Sequence, residues 1–196
     1  MTTAAEEFLN EVGSKDTLLL INEQSSFIAF YERLLEKFEL DTLTGLPGSN
    51  KYLEFKAGLE KRSPALGILV FDVNDLKYYN DVKGHQSGDR LLQKAAESFH
   101  AITGVNVHVF RTGGDEFVGI VTNCVEGDID GIIKKWQEKL VELNTAADGI
   151  RCSIAHGVAF GDGGYNLNDM IALADERMYA EKKRMKAAGL KLGEMR

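Results

Sequence analysis

Leu66-Gly-Ile-Leu-Val-Phe71 constrains this chain more than any other stretch. It is a continuous apolar run of strand length, and such runs belong to strands buried on both faces. A sheet built around it needs cover on each side. The run passes directly into Asp72-Val-Asn-Asp-Leu-Lys77. A strand this apolar that closes on a carboxylate sets that carboxylate at the end of the sheet, where a site can form. A turn or a helix N-cap also accounts for an aspartate there.

A second feature follows about thirty residues later. Val105-Asn-Val-His-Val-Phe110 and Phe117-Val-Gly-Ile-Val-Thr122 are strand-like and flank Arg111-Thr-Gly-Gly-Asp-Glu-Phe117. Two strands joined by a Gly-Gly-led turn predict a β-hairpin, with the glycines entering positive-φ conformations at no steric cost. Glycines also let a ligand approach the backbone. Asp115 and Glu116 then stand at the tip, two carboxylates beside two bare peptide units. A metal ion and a phosphate can meet there. An ordinary exposed turn explains the same residues from this stretch alone.

The remaining segments supply helices. Residues 1–40 are set apart as an N-terminal helical segment. Leu20, Phe27 and Leu34 form one row, and Ile21, Ile28 and Leu35 the next. That stripe is about three heptads long and fits either a helix packed on its own domain or a dimerising stalk. Asp41-Thr-Leu-Thr-Gly-Leu-Pro-Gly48 opens the main domain, residues 41–190. A helix is expected from Asn50 to about Arg62. Lys83 to Asp89 reads as a Gly-rich loop, followed by a helix from Arg90 to about Ala101. Further helices are expected over 129–143, with Trp136 in the core, and from Leu167 to about Ala188. Between them Arg151 to Phe160 reads as a strand in which His156 is a packed histidine rather than a ligand. Strand, helix, hairpin, helix, strand, helix describes an α+β fold. Its central antiparallel sheet is flanked by helices on the split βαβ, ferredoxin-like plan. On that plan Asp72 and Asp115 converge.

Composition narrows the function. Acidic residues outnumber basic ones 30 to 23, for a net charge of -7. This disfavours a nucleic-acid partner, whose phosphates call for the opposite sign. Cys124 and Cys152 have no metal-type spacing and read as buried thiols of a reducing cytosol. The N-terminus lacks a signal-peptide pattern, and no apolar run approaches about 18 residues, so the expectation is a soluble cytoplasmic protein without a membrane span.

Arg111-Thr-Gly-Gly-Asp-Glu-Phe117 resembles the signature of the GGDEF-domain diguanylate cyclases. Asp41-Thr-Leu-Thr-Gly-Leu46, Phe71-Asp72 with Lys77, Asn80-Asp81, Gly84-His85-Gln-Ser-Gly88-Asp89, and Ala174-Asp175 with Tyr179 and Lys182 match the family's other blocks in order and spacing. The resemblance covers residues 41 to about 187 and implies a palm-type nucleotidyl cyclase fold. It implies condensation of two GTP molecules into cyclic di-GMP and pyrophosphate across a homodimer, with magnesium or manganese as cofactor. By matching position, Asp72, the Val73 carbonyl, Asp115 and Glu116 would hold the metal. Asp115, Glu116 and Lys182 would carry the catalysis. Gly113 and Gly114 would admit the phosphates, Asn80 and Asp89 would read the guanine edge, and Lys77, Lys182 and Lys186 would neutralise the triphosphate. A catalytically inactive member that binds a nucleotide or a protein partner is the alternative; such domains usually lose a signature acid, and here both remain. A palm-type enzyme with another base preference is disfavoured by Asn80 and Asp89. The input signal is absent from the described motifs, so a separate sensory domain or partner is expected to supply it.

The chain departs from the family pattern in three places. Gly48-Ser49-Asn50 replaces the usual Asn-Arg-Arg, and Lys186 stands where arginine is common, keeping the charge but losing the bidentate fork. The Arg-x-x-Asp of the inhibitory product site falls on Gly104 and Val107. Micromolar cyclic di-GMP is therefore expected to leave turnover unchanged, which an inhibition curve checks.

Overall fold

A computed structural model describes residues 39–60 and 65–189. The stripe expected over 18–38 lies outside the described residues. The elements in order are α1 (Ser49–Glu60), β1 (Leu66–Val73), α2 (Leu76–Lys83), α3 (His85–His100), β2 (Val107–Arg111), β3 (Glu116–Thr122), α4 (Glu126–Leu143), β4 (Ile154–Gly161) and α5 (Leu167–Ala187).

All eight residues of β1 are buried, as a strand covered on both faces requires. It sits inside a four-stranded sheet ordered β2-β3-β1-β4. Every neighbouring pair is antiparallel. β1 and β2 therefore run parallel with β3 inserted between them, the split arrangement expected from the element order. Side chains alternate across the pleat. Leu69, Phe71 and Val73 point to one core with Phe99, Phe117 and Trp136. Leu66, Ile68 and Val70 point to the other, with Leu167, Met170, Ala174 and Met178 of α5.

In the first core the Phe71 ring meets those of Phe99 at 4.7 Å and Trp136 at 4.8 Å. The buried indole Nε1 donates to Ser98 Oγ at 3.0 Å, so its one polar atom is satisfied. Trp136 is a core residue, as expected. The thiols of Cys124 and Cys152 are buried and free, each just outside a strand. Burial pushes the Cys152 thiol up to about 12, leaving it an inert, protonated packing group.

In the second core α5 lies unusually close to β4. A Cβ placed on Gly157 would come 2.0 Å from the Ala174 carbonyl oxygen and 2.3 Å from the Met178 nitrogen. Only a residue without a side chain lets the helix backbone rest on the strand. α5 begins under its own cap, with Asn166 Oδ1 accepting from the Asn168 and Asp169 amides at 2.9 and 3.3 Å.

One sequence expectation is overturned here. Residues 85–89 are the first turn of α3, and Leu76–Lys83 is a helix of its own, so Lys83 to Asp89 is no loop. Gly84 alone separates the two helices, at φ 85° and ψ 155°. A single glycine in that conformation redirects the chain without the several loop residues its neighbours suggested.

Gly157→Ala has no free volume to enter and meets backbone rather than a movable side chain. We expect a loss of about 1–3 kcal/mol, read in thermal unfolding as a fall of roughly 2–4 °C per kcal/mol for a chain of this size.

Candidate active site

The site is assembled where β1 ends and β3 begins, beside the last turns of α5. Asp72 is the cross-strand partner of Glu116 in the β1–β3 register. One residue further on, the Val73 amide donates to the Asp115 carbonyl oxygen at 2.9 Å. Asp72 and Asp115 thus meet at one end of the sheet, as the split topology requires. Asp72 is only 6% exposed, whereas Asp115 is half-buried and Glu116 exposed. Glu116 is the first residue of β3 rather than part of the turn, a small correction to its expected place at the tip.

Burial raises the pKa of Asp72, and the nearby charge of Asp115 raises it further; Lys182 and Lys186 oppose both. The Lys182 ammonium donates to Asp72 Oδ1 at 2.5 Å. A cation therefore already occupies one oxygen of the buried carboxylate. Next to it, Asn74 is buried, donates to Ser153 Oγ at 3.2 Å, and leaves its own Oδ1 without a hydrogen-bond partner among the described residues. Such orphan acceptors are rare in protein interiors.

The signature loop is held by its own arginine. Arg111 Nε donates to the Gly113 carbonyl at 3.2 Å and Nη2 to the Gly114 carbonyl at 2.7 Å. Nη1 pairs with Asp41 Oδ1 at 2.8 Å. That oxygen also accepts from the Thr44 amide at 2.9 Å and hydroxyl at 2.6 Å. The Asp41-to-Leu46 turn and the signature loop are one hydrogen-bonded unit. Neither Gly113 nor Gly114 adopts a positive φ, contrary to expectation. Their lack of a side chain matters for space instead. A Cβ on Gly113 would come 2.8 Å from Glu116 Oε2, and Gly114 faces open surroundings that leave its peptide approachable.

Asn80 of α2 packs its side chain against Gly88 of α3, the residue before Asp89. A Cβ at Gly88 would overlap Asn80 Oδ1 at 2.0 Å, so the bare backbone makes room for the Asn80 amide. Lys77 and Lys186 are exposed. His156 is packed as expected: its ring lies edge-on to Trp136 at 5.3 Å, and its Nδ1 pairs with Glu181 at 2.7 Å. Beside β4, a 460 Å³ cavity is lined by His156, Arg177, Glu181 and Arg184, and by none of the residues expected in the site. The roles of Asp41, Gly88 and Asn74 were not read from the sequence. Asp41 and Gly88 stood inside recognisable blocks, while an orphan amide oxygen has no sequence signal.

The family described as "Diguanylate cyclase, GGDEF domain" matches residues 38–188. The chain belongs to the GGDEF family. It is 30% identical over 183 residues to the diguanylate cyclase DosC of Escherichia coli K12, covering 87% of this chain and 40% of DosC. The chain thus spans well under half the length of that relative. Among solved structures, the coiled coil and GGDEF domain of DgcB from Caulobacter crescentus, in complex with c-di-GMP, superposes with a TM-score of 0.72 at 19% identity. That match covers 86% of this chain and 93% of DgcB's. Diguanylate cyclase SiaD from Pseudomonas aeruginosa, in complex with its activator SiaC, gives 0.70 at 22% identity, covering 93% of this chain and 73% of SiaD's. These likenesses establish the GGDEF fold, the palm-type nucleotidyl cyclase architecture. No helix among the described residues is long and apolar enough to cross a membrane.

The pairing of Asp41 gives a pH-dependent prediction for this GGDEF domain. Burial alone would raise the Asp41 pKa, but hydrogen bonds from Thr44 and Arg111 outweigh it and hold the group below 3.8. A carboxylate depressed in the folded state contributes stability above its unfolded value and loses it as pH falls through the folded one. The gap in urea midpoint between the wild type and Asp41→Asn should be widest near neutrality and close as pH drops below 3.8.

Proposed function

We propose that this protein is a diguanylate cyclase that condenses two GTP molecules into cyclic di-GMP with release of pyrophosphate. The observation that carries the reading is the buried Asp72 at the end of β1, with the Asp115 charge close enough to raise its pKa. Family membership supports the reaction class.

A divalent cation fits these residues. Among the described residues no three His, Cys, Asp or Glu side chains gather into a complete metal cage. Magnesium does not need one, because it takes one or two carboxylates and fills its shell with phosphate oxygens and water. The Lys182 ammonium on Asp72 is a resident stand-in for that charge. Asp72, the Val73 carbonyl, Asp115 and Glu116 would hold magnesium or manganese, which when bound neutralises phosphate charge and polarises the reacting phosphoryl group.

The protein's own groups do the rest. Asn80 and Asp89 orient the base; Asp89 accepts from a ring N–H and an amino group, a pairing that adenine cannot offer in the same way. Lys77, Lys182 and Lys186 balance the triphosphate, and the Gly113 and Gly114 peptides let it approach the backbone. Asp115 takes the proton of the attacking 3′-hydroxyl. Positioning and electrostatics supply most of the rate enhancement in such a transfer. One domain presents one GTP, so closing a two-fold product requires two domains facing each other. A separate sensory domain or partner would regulate that encounter.

Incubation of the purified protein with GTP and magnesium is expected to yield cyclic di-GMP, detected by chromatography. Asp115→Asn should reduce the rate by at least about a hundredfold, within the usual range for a lost general base. Gly88→Ala should chiefly raise KM for GTP by displacing Asn80. Absence of product from the wild-type dimer, or full turnover by Asp115→Asn, overturns the assignment.

A further inference from the structure

We propose that Lys182 is an exchangeable counter-ion: it holds Asp72 in the nucleotide-free protein and yields that oxygen to the divalent cation when nucleotide phosphates arrive. The inference rests on the active-site reading above and adds an order of loading to it.

The argument begins with burial. A carboxylate as enclosed as Asp72 needs a partner to stay ionised, because the interior does not replace lost hydration. The structure supplies that partner from α5, seated through Gly157 close enough for Lys182 to reach across to β1. The ammonium takes Oδ1 at 2.5 Å, on the carboxylate that the cation would use. Two like charges at one oxygen repel strongly, so cation and ammonium compete. Lys182 keeps an anionic partner on leaving when nucleotide phosphates are present to receive it.

A second observation points the same way. The lysine-paired arrangement leaves Asn74 Oδ1 buried and unpartnered, two residues from Asp72 and on the same side of the chain. Its amide nitrogen lies 3.7 Å from Met185 Sδ, on the turn of α5 that follows Lys182. The lysine-paired arrangement thus sets a buried acceptor, without a partner among the described residues, beside the exchanging pair. The consequence is linkage. Nucleotide strengthens cation binding, and cation strengthens nucleotide binding by the same factor. The lysine-paired site resists free metal.

The test measures Mn²⁺ binding to the nucleotide-free protein by electron paramagnetic resonance titration, so no turnover is involved. Lys182→Met is expected to bind Mn²⁺ about tenfold tighter than the wild type, the change equivalent to one charge-assisted hydrogen bond. Lys182→Arg, which keeps a cation on Asp72, should stay near the wild type. Adding Asp72→Asn to Lys182→Met should abolish the gain. Lys182→Gln provides the same comparison if the methionine variant fails to fold. Binding that depends on Asp72 but is no tighter in Lys182→Met or Lys182→Gln would overturn the exchange while leaving the site intact. Binding indifferent to Asp72 in both backgrounds would remove the site itself, and the exchange with it.

Discussion

The register between β1 and β3 is the constraint on which the site depends. Asp72 faces Glu116, and the Val73 amide is bonded to the Asp115 carbonyl. Because the side-chain period of a strand is two, a slip of one residue would send Asp72 into the aromatic core and Phe71 out of it. The register is protected by what it buries. Phe71 and Phe117 are paired across the strands and pack with Phe99 and Trp136, so the apolar cost of a slip falls on some of the largest fully buried side chains among the described residues. The chemistry at the strand ends inherits its precision from a core that contains none of it.

A second layer of positioning comes from α5. Its approach over Gly157 brings the helix close enough for Lys182 to reach a carboxylate on a strand beyond β4. A third comes from Arg111, whose guanidinium spends its donors on the two glycine carbonyls and on Asp41. The peptide units of the signature loop are therefore fixed by a side chain as well as by the backbone bonds that the Thr112 and Gly113 amides donate to the Glu116 carbonyl. These devices differ in kind, one steric and one electrostatic. Each sets a functional group through a residue that does no chemistry.

Much of this was legible in the sequence. The unbroken apolar run at 66–71 located the central strand, and the order of segments determined the split topology, which in turn placed Asp72 beside Asp115. What escaped was set by contacts between segments distant in sequence. The glycines at 113 and 114 invited a reading in terms of backbone conformation, while the structure uses them for space around Glu116 and an open peptide. The stretch from Lys83 to Asp89 carries two glycines and a serine and so imitates a loop. Only the packing of Gly88 under Asn80 explains why that glycine belongs inside a helix. The tie from Asp41 to Arg111 spans 70 residues and leaves no periodic trace.

The outer margin of the sheet carries one further meaning. Among the described residues β4 has no strand beyond it, and edges of this kind offer unpaired amides and carbonyls to any passing chain. Here the His156 amide donates to the Glu181 carboxylate, and the Arg177 guanidinium donates to the Val158 carbonyl. Two side chains of α5 thus impersonate a fifth strand. Crowded copies of the protein are in this way discouraged from zipping together edge to edge, and association is steered away from the route that ends in aggregates.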